Sequence, residues 1–295
     1  MLKNKCQNVS QTNHSDWRSG WIALLVTLIL SPSLVVGQGV EGEELVTDRP
    51  DQTESASTIA PGSVQIEAGV EISVNEFVDI SGGADSTDTE KKLTAPALLV
   101  RVGLFDGVEL RIGGSWISQN FDPRNDCRQT IFPLPPCNYY SDLSGLGDIS
   151  VGGKVRLMKG DGLSPQVALL AHLTLPVGAD GIAPEVLVPD IRLAMAHDLS
   201  ETFSLGYNIG GAWEDEEFTG LYTVALGLGL TDAFGCFFEL YGNGPWEENP
   251  EHSFDSGLTW LVTNNVQLDI ASGIGLTEEA EDLFLGAGLS VRLPR

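Results

Sequence analysis

Apolar and polar residues alternate one by one over long stretches of this chain. Between Leu98 and Trp116 the sequence reads LLVRVGLFDGVELRIGGSW, in which apolar residues alternate with Arg101, Glu109, Arg111 and glycines. A period of two places successive side chains on opposite faces of a β-strand. The stretch therefore predicts a hairpin whose two strands each have one apolar face and one polar or small face.

The hairpin is predicted to turn through a three-residue loop. If the loop held only Asp106 and Gly107, Phe105 would pair with Val108, and the apolar face would change sides between the two strands. A loop of Phe105-Asp106-Gly107 pairs Leu104 with Val108 and keeps the apolar face continuous. It also places glycine where such a turn needs a left-handed residue.

The same spacing recurs three more times along the chain. Apolar residues flank a three-residue gap at Leu199 and Phe203, at Leu230 and Phe234, and at Val262 and Val266. Four turns of one register predict a single sheet of similar hairpins, with all apolar sides on one surface. Further alternating stretches bring the count to about twelve strands, joined in turn by short turns and by longer, more acidic loops.

This pattern predicts an all-β fold, a closed antiparallel transmembrane β-barrel of about twelve strands. Most of the predicted strands are close to the roughly 9–11 residues that a tilted strand needs to cross a bilayer. Alternation of short turns with long loops is typical of outer-membrane barrels. Closure also leaves no exposed sheet edge.

Aromatic residues favour lipid over water outside the sheet. On the apolar face, Trp116, Trp213 and Tyr222 fall toward the loop ends of their strands. Phe203, Phe234 and Trp260 fall toward the turn ends. Two belts of this kind are expected at the two interfaces of a membrane barrel. The alternative is a secreted soluble β-sandwich in which the same residues are core aromatics.

The N-terminus has the pattern of a secretory signal peptide. Lys3, Lys5 and Arg18 precede an apolar run, residues 21–36, that ends in small residues at Gly37. We predict a cleaved signal over residues 1–37, an irregular periplasmic segment over 38–61 and the barrel over 62–295. The predicted location is the bacterial outer membrane, with both ends of the mature chain in the periplasm because the number of strands is even.

The strong negative charge excludes one class of partner. With 41 Asp and Glu against 16 Lys and Arg, the formal net charge is −25. Nucleic acid is not expected as a partner, because a phosphate backbone is bound by clustered cations. Two explanations of the acidity stay open, solubility of exposed loops and attraction of cations.

Two cysteines flank a proline-rich loop. Cys127 and Cys137 are candidates for a disulfide, which an exported chain permits. A metal pair is the competing interpretation, but no further Cys or His lies at ligand spacing.

The strand pattern also assigns the side chains that point into the lumen. The charged and histidine positions on this face carry both signs, and buried charges need partners or water. The hypothesis is a lumen that holds or conducts a small polar or amphipathic solute; the alternative is that the charges cross-link the wall of a filled barrel. Inward glycines would relieve crowding or leave room for a solute. The lumen-facing candidates are Glu67, Glu71, Arg101, Glu109, Arg111, Lys154, Arg156, His172, Arg192, Glu239, Asp255, Asp269 and Arg292.

Catalytic motifs do not stand out. The sequence contains neither H-E-x-x-H nor G-x-S-x-G, and His172, His197 and His252 have no metal-ligand spacing. The sequence therefore predicts no enzymatic activity, no cofactor and no metal site.

The lead-in and several later motifs resemble a known family. The stretch from Thr47 to Ser55, TDRPDQTES, and the stretches Gln65 to Gly69, Gly145 to Ile149 and Leu173 to Gly178 are similar to motifs of transporter-like outer-membrane barrels linked to the phenol meta-cleavage pathway. The resemblance implies a porin-like barrel for uptake of aromatic or other hydrophobic compounds. It carries over no binding residue. The chain ends in Arg295, whereas many such barrels end in an aromatic residue that assists assembly.

The predicted function is passage or binding of a small solute by an outer-membrane barrel, and the resemblance adds that the solute is aromatic or hydrophobic. The predicted partners are outer-membrane lipid and this small-molecule solute. The alternative is a structural or adhesive outer-membrane barrel with a blocked lumen.

Overall fold

The computed structural model describes residues 45–79, 86–123, 142–161, 164–215, 217–245 and 250–293, and gives the backbone alone for 77–79, 86–88 and 121–123. All of these residues belong to one compact unit, Gly39–Arg295. The predicted signal peptide, Cys127 and Cys137 lie outside the described residues. Within the described part of the chain, no helix is both long and apolar enough to span a membrane.

Twelve antiparallel strands form a single closed barrel, as the alternation predicts. Each strand pairs with its neighbours in sequence, and β1 pairs with β12, which joins Val64 to Leu293 and closes the sheet. The strands are β1 (Val64–Asp79), β2 (Ser86–Phe105), β3 (Val108–Pro123), β4 (Leu143–Asp161), β5 (Ser164–Leu175), β6 (Val188–Asp198), β7 (Phe203–Glu214), β8 (Glu217–Gly229), β9 (Phe234–Gly244), β10 (Glu251–Thr263), β11 (Val266–Gly275) and β12 (Leu283–Leu293).

Two of the four hairpins turn more tightly than predicted. Phe105 pairs with Val108 around a two-residue turn, and Thr263 pairs with Val266 in the same way. The apolar face still does not change sides, because the register shifts between Gly103 and Phe105 and a bulge adds one residue to β2. The three-residue loops predicted for the other two hairpins agree with the hydrogen bonds from the N–H groups of Leu199 and Leu230 across each turn.

Several strands are longer than the roughly 9–11 residues that a tilted strand needs to cross a bilayer. β7 ends at Glu214 and β8 begins at Glu217, so their connection is tight, and the rings of Trp213 and Phe218 pair at 4.9 Å beside it. β3 extends to Pro123, and β4 begins at Leu143. We call this end of the barrel the loop end and the opposite end, with the short hairpin turns, the turn end.

Large apolar side chains are exposed around the outside of the barrel. Ile209, Leu285 and Ile72 expose between 50% and 61% of their surface. Five of the six predicted belt residues are exposed as well, among them Trp213 near the loop end and Phe234 stacked on Trp260 near the turn end, whereas Tyr222 is half-buried. A continuous apolar outer surface of this extent is typical of a lipid-facing wall.

The interior is polar, which inverts the arrangement of a water-soluble protein. Arg101, Lys154, Glu67 and Asp255 have no exposed surface. Buried apolar side chains form two small clusters, one of which contains Phe237 and Phe284. The inward positions of the strands therefore hold buried charged side chains.

Candidate functional site: a charged plug inside the barrel

Residues 45–61 lie inside the barrel and are called the plug below. They form no strand or helix, and their backbone is held by the inner wall. The N–H of Gln52 donates to Glu239 on β9 at 2.7 Å, and the N–H of Ile59 donates to Glu109 on β3 at 2.9 Å. The segment predicted to be periplasmic thus enters the lumen and contacts opposite sides of the wall.

One plug carboxylate contacts three adjacent strands. An oxygen of Asp48 lies 3.0 Å from Arg101 on β2, 2.5 Å from Arg111 on β3 and 3.1 Å from Lys154 on β4. Burial alone would raise the pKa of Asp48, but the charges of Arg101, Lys154 and Arg111 hold it well below its usual range. Asp48 is therefore an anion that binds the plug to this side of the barrel.

Further carboxylates complete the cationic side. Arg101 also contacts Glu67 at 3.2 Å and Glu109 at 2.9 Å, and Arg111 contacts Glu54 of the plug at 2.7 Å. The Lys154 ammonium donates to the backbone carbonyl of Ser55 at 2.8 Å. Because a buried charge without a partner costs several kcal/mol, wall and plug need each other to neutralise the cluster.

The network continues from Arg111 across the strands to β5 and β6. Arg111 donates through Nε to His172 Nε2 at 3.0 Å, and His172 Nδ1 lies 3.5 Å from a carboxylate oxygen of Asp190. Asp190 in turn pairs with Arg192 at 3.1 Å. These side chains lie on β3, β5 and β6, so a line of polar groups runs from the plug along the wall.

The opposite wall is acidic. Glu239 and Asp255 face each other directly in the pairing of β9 with β10. Asp255 is fully buried, and its carboxylate lies within hydrogen-bond reach of Glu239, while no other described side chain donates to it. Asp51 of the plug lies close by, and burial together with the charge of Glu239 raises its pKa well above the usual value. The carboxyl groups of Asp51, Glu239 and Asp255 therefore influence one another's protonation.

The other predicted lumen residues lie apart from these two groups. Asp269 pairs with Arg49 of the plug at 3.2 Å. Near the turn end, Arg156 pairs with Asp106 at 2.5 Å, and Arg292 donates to Asn265 at 3.1 Å. Glu71 is partly buried on β1. The structure thus brings five predicted residues together around Asp48 and two around Asp51; whether any of them binds a solute stays a prediction.

Inward glycines provide the space that the plug occupies. A Cβ added at Gly103 would overlap the backbone carbonyl of Ala60, and one added at Gly69 or Gly288 would overlap the guanidinium of Arg49. At Gly206 it would press on Thr53 at 3.1 Å. At these positions the room left by glycine is filled by the plug.

Sequence reasoning missed the plug side of the site. Asp48, Arg49 and Glu54 were recognised as part of a family motif but were assigned no role. The signal that could have revealed them is the density of charge from Thr47 to Asp51 in a stretch without apolar periodicity. Such a stretch cannot cover a core, so its charges need partners elsewhere in the chain.

The described residues form no metal centre, and two cavities lie at opposite ends of the barrel. Among the described residues, no three His, Cys, Asp or Glu side chains group so that they could hold a metal ion. A cavity of about 390 Å³ lies at the loop end. A second, of about 300 Å³, lies at the turn end and is lined by Arg101, Arg156, Lys159 and Arg292.

The sequence identifies a family. Residues 47–293 match the profile of the family described as "Putative MetA-pathway of phenol degradation". The chain belongs to this family. The match begins at Thr47 and so covers residues 47–61 of the plug as well as the barrel. The resemblance drawn from the TDRPDQTES stretch is confirmed.

One solved structure supports the fold, and a second aligns less well. An outer-membrane channel of Pseudomonas putida F1, named COG4313, aligns with a TM-score of 0.61 and 13% identity over 84% of this chain and 100% of that chain. The CymD monoaromatic hydrocarbon channel aligns with a TM-score of 0.44 and 10% identity over 80% and 89%. At 13% identity the first match shows that this chain has the fold of an outer-membrane channel. A search of curated protein sequences gave no match.

Proposed function

We propose that this protein is a bacterial outer-membrane channel that passes or binds a small solute, with the plug governing access through the lumen. The observation that carries the proposal is the combination of an apolar exterior with a charged interior that holds residues 45–61 by ion pairs. A barrel with only an anchoring role would not need a lumen so densely charged. We infer no chemical reaction, because fold and family are those of channel-like barrels.

The family supports an aromatic or hydrophobic solute. Its description refers to phenol degradation, a process that requires aromatic compounds to reach the cell interior. A solute of this kind meets the polar network of the plug after it enters the lumen. We therefore infer that its passage depends on how the plug is seated.

A structural or adhesive barrel with a blocked lumen is the second candidate. The observation that favours it is the number of contacts between plug and wall, including a buried hydrogen bond of 2.6 Å between the hydroxyls of Thr53 and Thr223. If the plug never moves and leaves no path beside it, the lumen is closed. The two candidates differ in one measurable property, solute flux.

A reversible disulfide between the plug and the wall would distinguish the two candidate functions. Because the two hydroxyls are 2.6 Å apart, cysteines at both positions suit a disulfide. We would prepare Thr53→Cys/Thr223→Cys in a Cys236→Ser background, with Thr53→Cys alone as the control. We would measure ionic conductance before and after reduction of the disulfide. We would also compare the swelling of proteoliposomes in isotonic phenylalanine with their swelling in isotonic raffinose.

Each outcome has a clear meaning. Flux of phenylalanine that is low in the oxidised double variant and rises on reduction supports a channel with a movable plug. Equal flux in both states supports a path beside a fixed plug. Absence of conductance and swelling in the unmodified protein and in the reduced variant would support the blocked barrel instead.

The proposed location has its own test. Outer-membrane placement is supported by the exposed apolar belt, which includes Trp213 and Trp260. Membrane fractionation should recover the protein with the outer membrane, in a form whose gel mobility shifts on heating. Recovery from the soluble periplasm would contradict the proposal.

A further inference from the structure

The cavity at the loop end lies beneath an inward-folded connection. Residues 176–187 join β5 to β6, and their fold is fixed by the N–H of Ala179, which donates to the carbonyl of Leu146 on β4 at 2.8 Å. The cavity of about 390 Å³ forms between this connection and the wall. That volume falls within the roughly 300–1,000 Å³ of small-molecule sites. We call it the outer cavity.

The lining of the outer cavity combines carboxylates with apolar surface. Its residues are Asp148, Thr174, Gly181, Ile182, Ala183, Pro184, Val188 and Glu214. Asp148, Thr174 and Glu214 come from three strands, β4, β5 and β7, and the two carboxylates are exposed at the mouth of the cavity. No lining residue is basic. The cavity therefore presents hydrogen-bond acceptors and negative charge beside an apolar wall.

Its position connects it to the plug. Thr174 pairs with Val188 across β5 and β6, and both line the outer cavity. Two residues farther along each strand, on the same face, His172 pairs with Asp190. His172 contacts Arg111, which binds Asp48 of the plug. The pair Thr174 and Val188, which lines the outer cavity, is therefore next to the pair His172 and Asp190. A solute in the outer cavity thus lies close to the polar network that binds the plug.

We propose that the outer cavity is a binding site for a small amphipathic cation, an ammonium group on an aromatic or aliphatic body. The ammonium would pair with Asp148 and donate a hydrogen bond to Thr174 on the neighbouring strand, with Glu214 adding negative charge across the cavity, while the body packs on Ile182, Ala183 and Pro184. An anion of the same size meets two carboxylates and no cation, so it is rejected. This inference deepens the proposed function by naming the solute class.

Binding of three matched probes tests the proposal. Benzylammonium, benzyl alcohol and benzoate have the same ring and differ in the charge of the head group. Calorimetric titration of the full-length protein in detergent, corrected with empty micelles, should show benzylammonium binding more tightly than benzyl alcohol and no binding of benzoate. Equal binding of all three, or tighter binding of benzoate, would overturn the proposal.

Variants place the binding in the cavity. Asp148→Asn/Glu214→Gln should weaken benzylammonium by about tenfold, the effect of losing a hydrogen bond to a charged group, while leaving benzyl alcohol unchanged. The matched control is Asp180→Asn/Glu185→Gln, which removes two exposed acids of the same connection that do not line the cavity. An unchanged affinity in the first variant, or an equal loss in the control, would place the cation elsewhere.

The titration does not depend on transport. It is performed on the oxidised Thr53→Cys/Thr223→Cys protein as well, in which the plug is fixed. Selective binding without flux would overturn passage and leave the site standing. Flux of phenylalanine without selectivity for benzylammonium would overturn the site and leave passage standing.

Discussion

The carboxylate of Asp48 lies 2.5 Å from the guanidinium of Arg111, and this ion pair joins the plug to the wall of the barrel. Asp48 is at the start of the described chain and Arg111 on β3, yet both side chains are almost fully buried. The same carboxylate meets Arg101 and Lys154. Ion pairs therefore hold the plug against β2, β3 and β4.

Replacing Asp48 with Asn keeps the shape of the side chain and removes its charge. This variant leaves one carboxylate fewer for the buried cations Arg101, Arg111 and Lys154. Breaking a buried ion pair costs about 3–5 kcal/mol. We expect a loss of that order in the free energy of unfolding, measured with denaturant in micelles. We also expect a higher single-channel conductance, because the plug is held less firmly.

The control is Asp106→Asn at the turn between β2 and β3. Asp106 also pairs with arginine and lysine, Arg156 and Lys159, but it is exposed. Solvent weakens such pairs, so stability and conductance should change little. If the two variants behaved alike, the buried network would not be what holds the plug.

Adding one methyl group at Gly103 should displace the plug. The new Cβ would overlap the carbonyl of Ala60, a backbone atom that can move only if the plug moves. Limited proteolysis of Gly103→Ala should cleave residues 45–61 faster than in the unmodified protein. Gly286→Ala is the matched control, because on the same inner face its Cβ would meet the nearest atom, Val70 O, at 3.7 Å. Equal cleavage in both variants would exclude this packing role for Gly103.

Removing one of two facing acids should stabilise the barrel. Glu239 and Asp255 oppose each other across β9 and β10, and like charges in that position are destabilising. In Asp255→Asn the amide can donate to Glu239, so we expect a gain of roughly 1–3 kcal/mol at pH 8. At pH 4, where protons are abundant, the gain should shrink. A loss of stability at both values would show that Asp255 has a partner of its own.

The binding of the plug to the wall of the barrel should weaken as pH rises. Burial, followed by the charge of Glu239, raises the pKa of Asp51 in the folded protein above 3.8. A raised folded pKa means that the folded state binds the proton more tightly, so this contribution is full below 3.8 and is lost as pH rises through the folded pKa. Proteolysis of the plug should therefore be slower at acid pH than at alkaline pH.

Asp51→Asn tests the origin of that dependence, because an amide stays neutral throughout. Its plug should be protected equally at high and low pH, apart from a loss at the most acid values. That loss belongs to Asp48, whose pKa is held low by its cationic neighbours and whose contribution disappears as pH falls. A full pH dependence in Asp51→Asn would assign the effect to other groups.

The sequence by itself determined the strands, their number and their two faces. Alternation is a local property, since neighbouring side chains on a strand point to opposite sides. It therefore assigned Arg101, Glu109 and Arg111 to the interior and Trp213 and Trp260 to the outside without knowledge of their partners. The hairpin at Asp106-Gly107 shows the limit of this reasoning. The structure has a two-residue turn with a bulge in β2, whereas the spacing predicts a three-residue loop. Both arrangements keep the apolar face continuous, so the spacing of apolar residues cannot distinguish them.

Only the tertiary structure decided what the inward charges meet. The contacts of Arg49 with Asp269 and of Thr53 with Thr223 join residues separated by 220 and 170 positions in the chain. They arise because closure of the barrel brings distant strands around one narrow space, which the plug then enters. No local pattern encodes which segment fills a cavity. For that reason the sequence predicts the inward charges, but it does not predict the ion pairs and hydrogen bonds that they form with the plug.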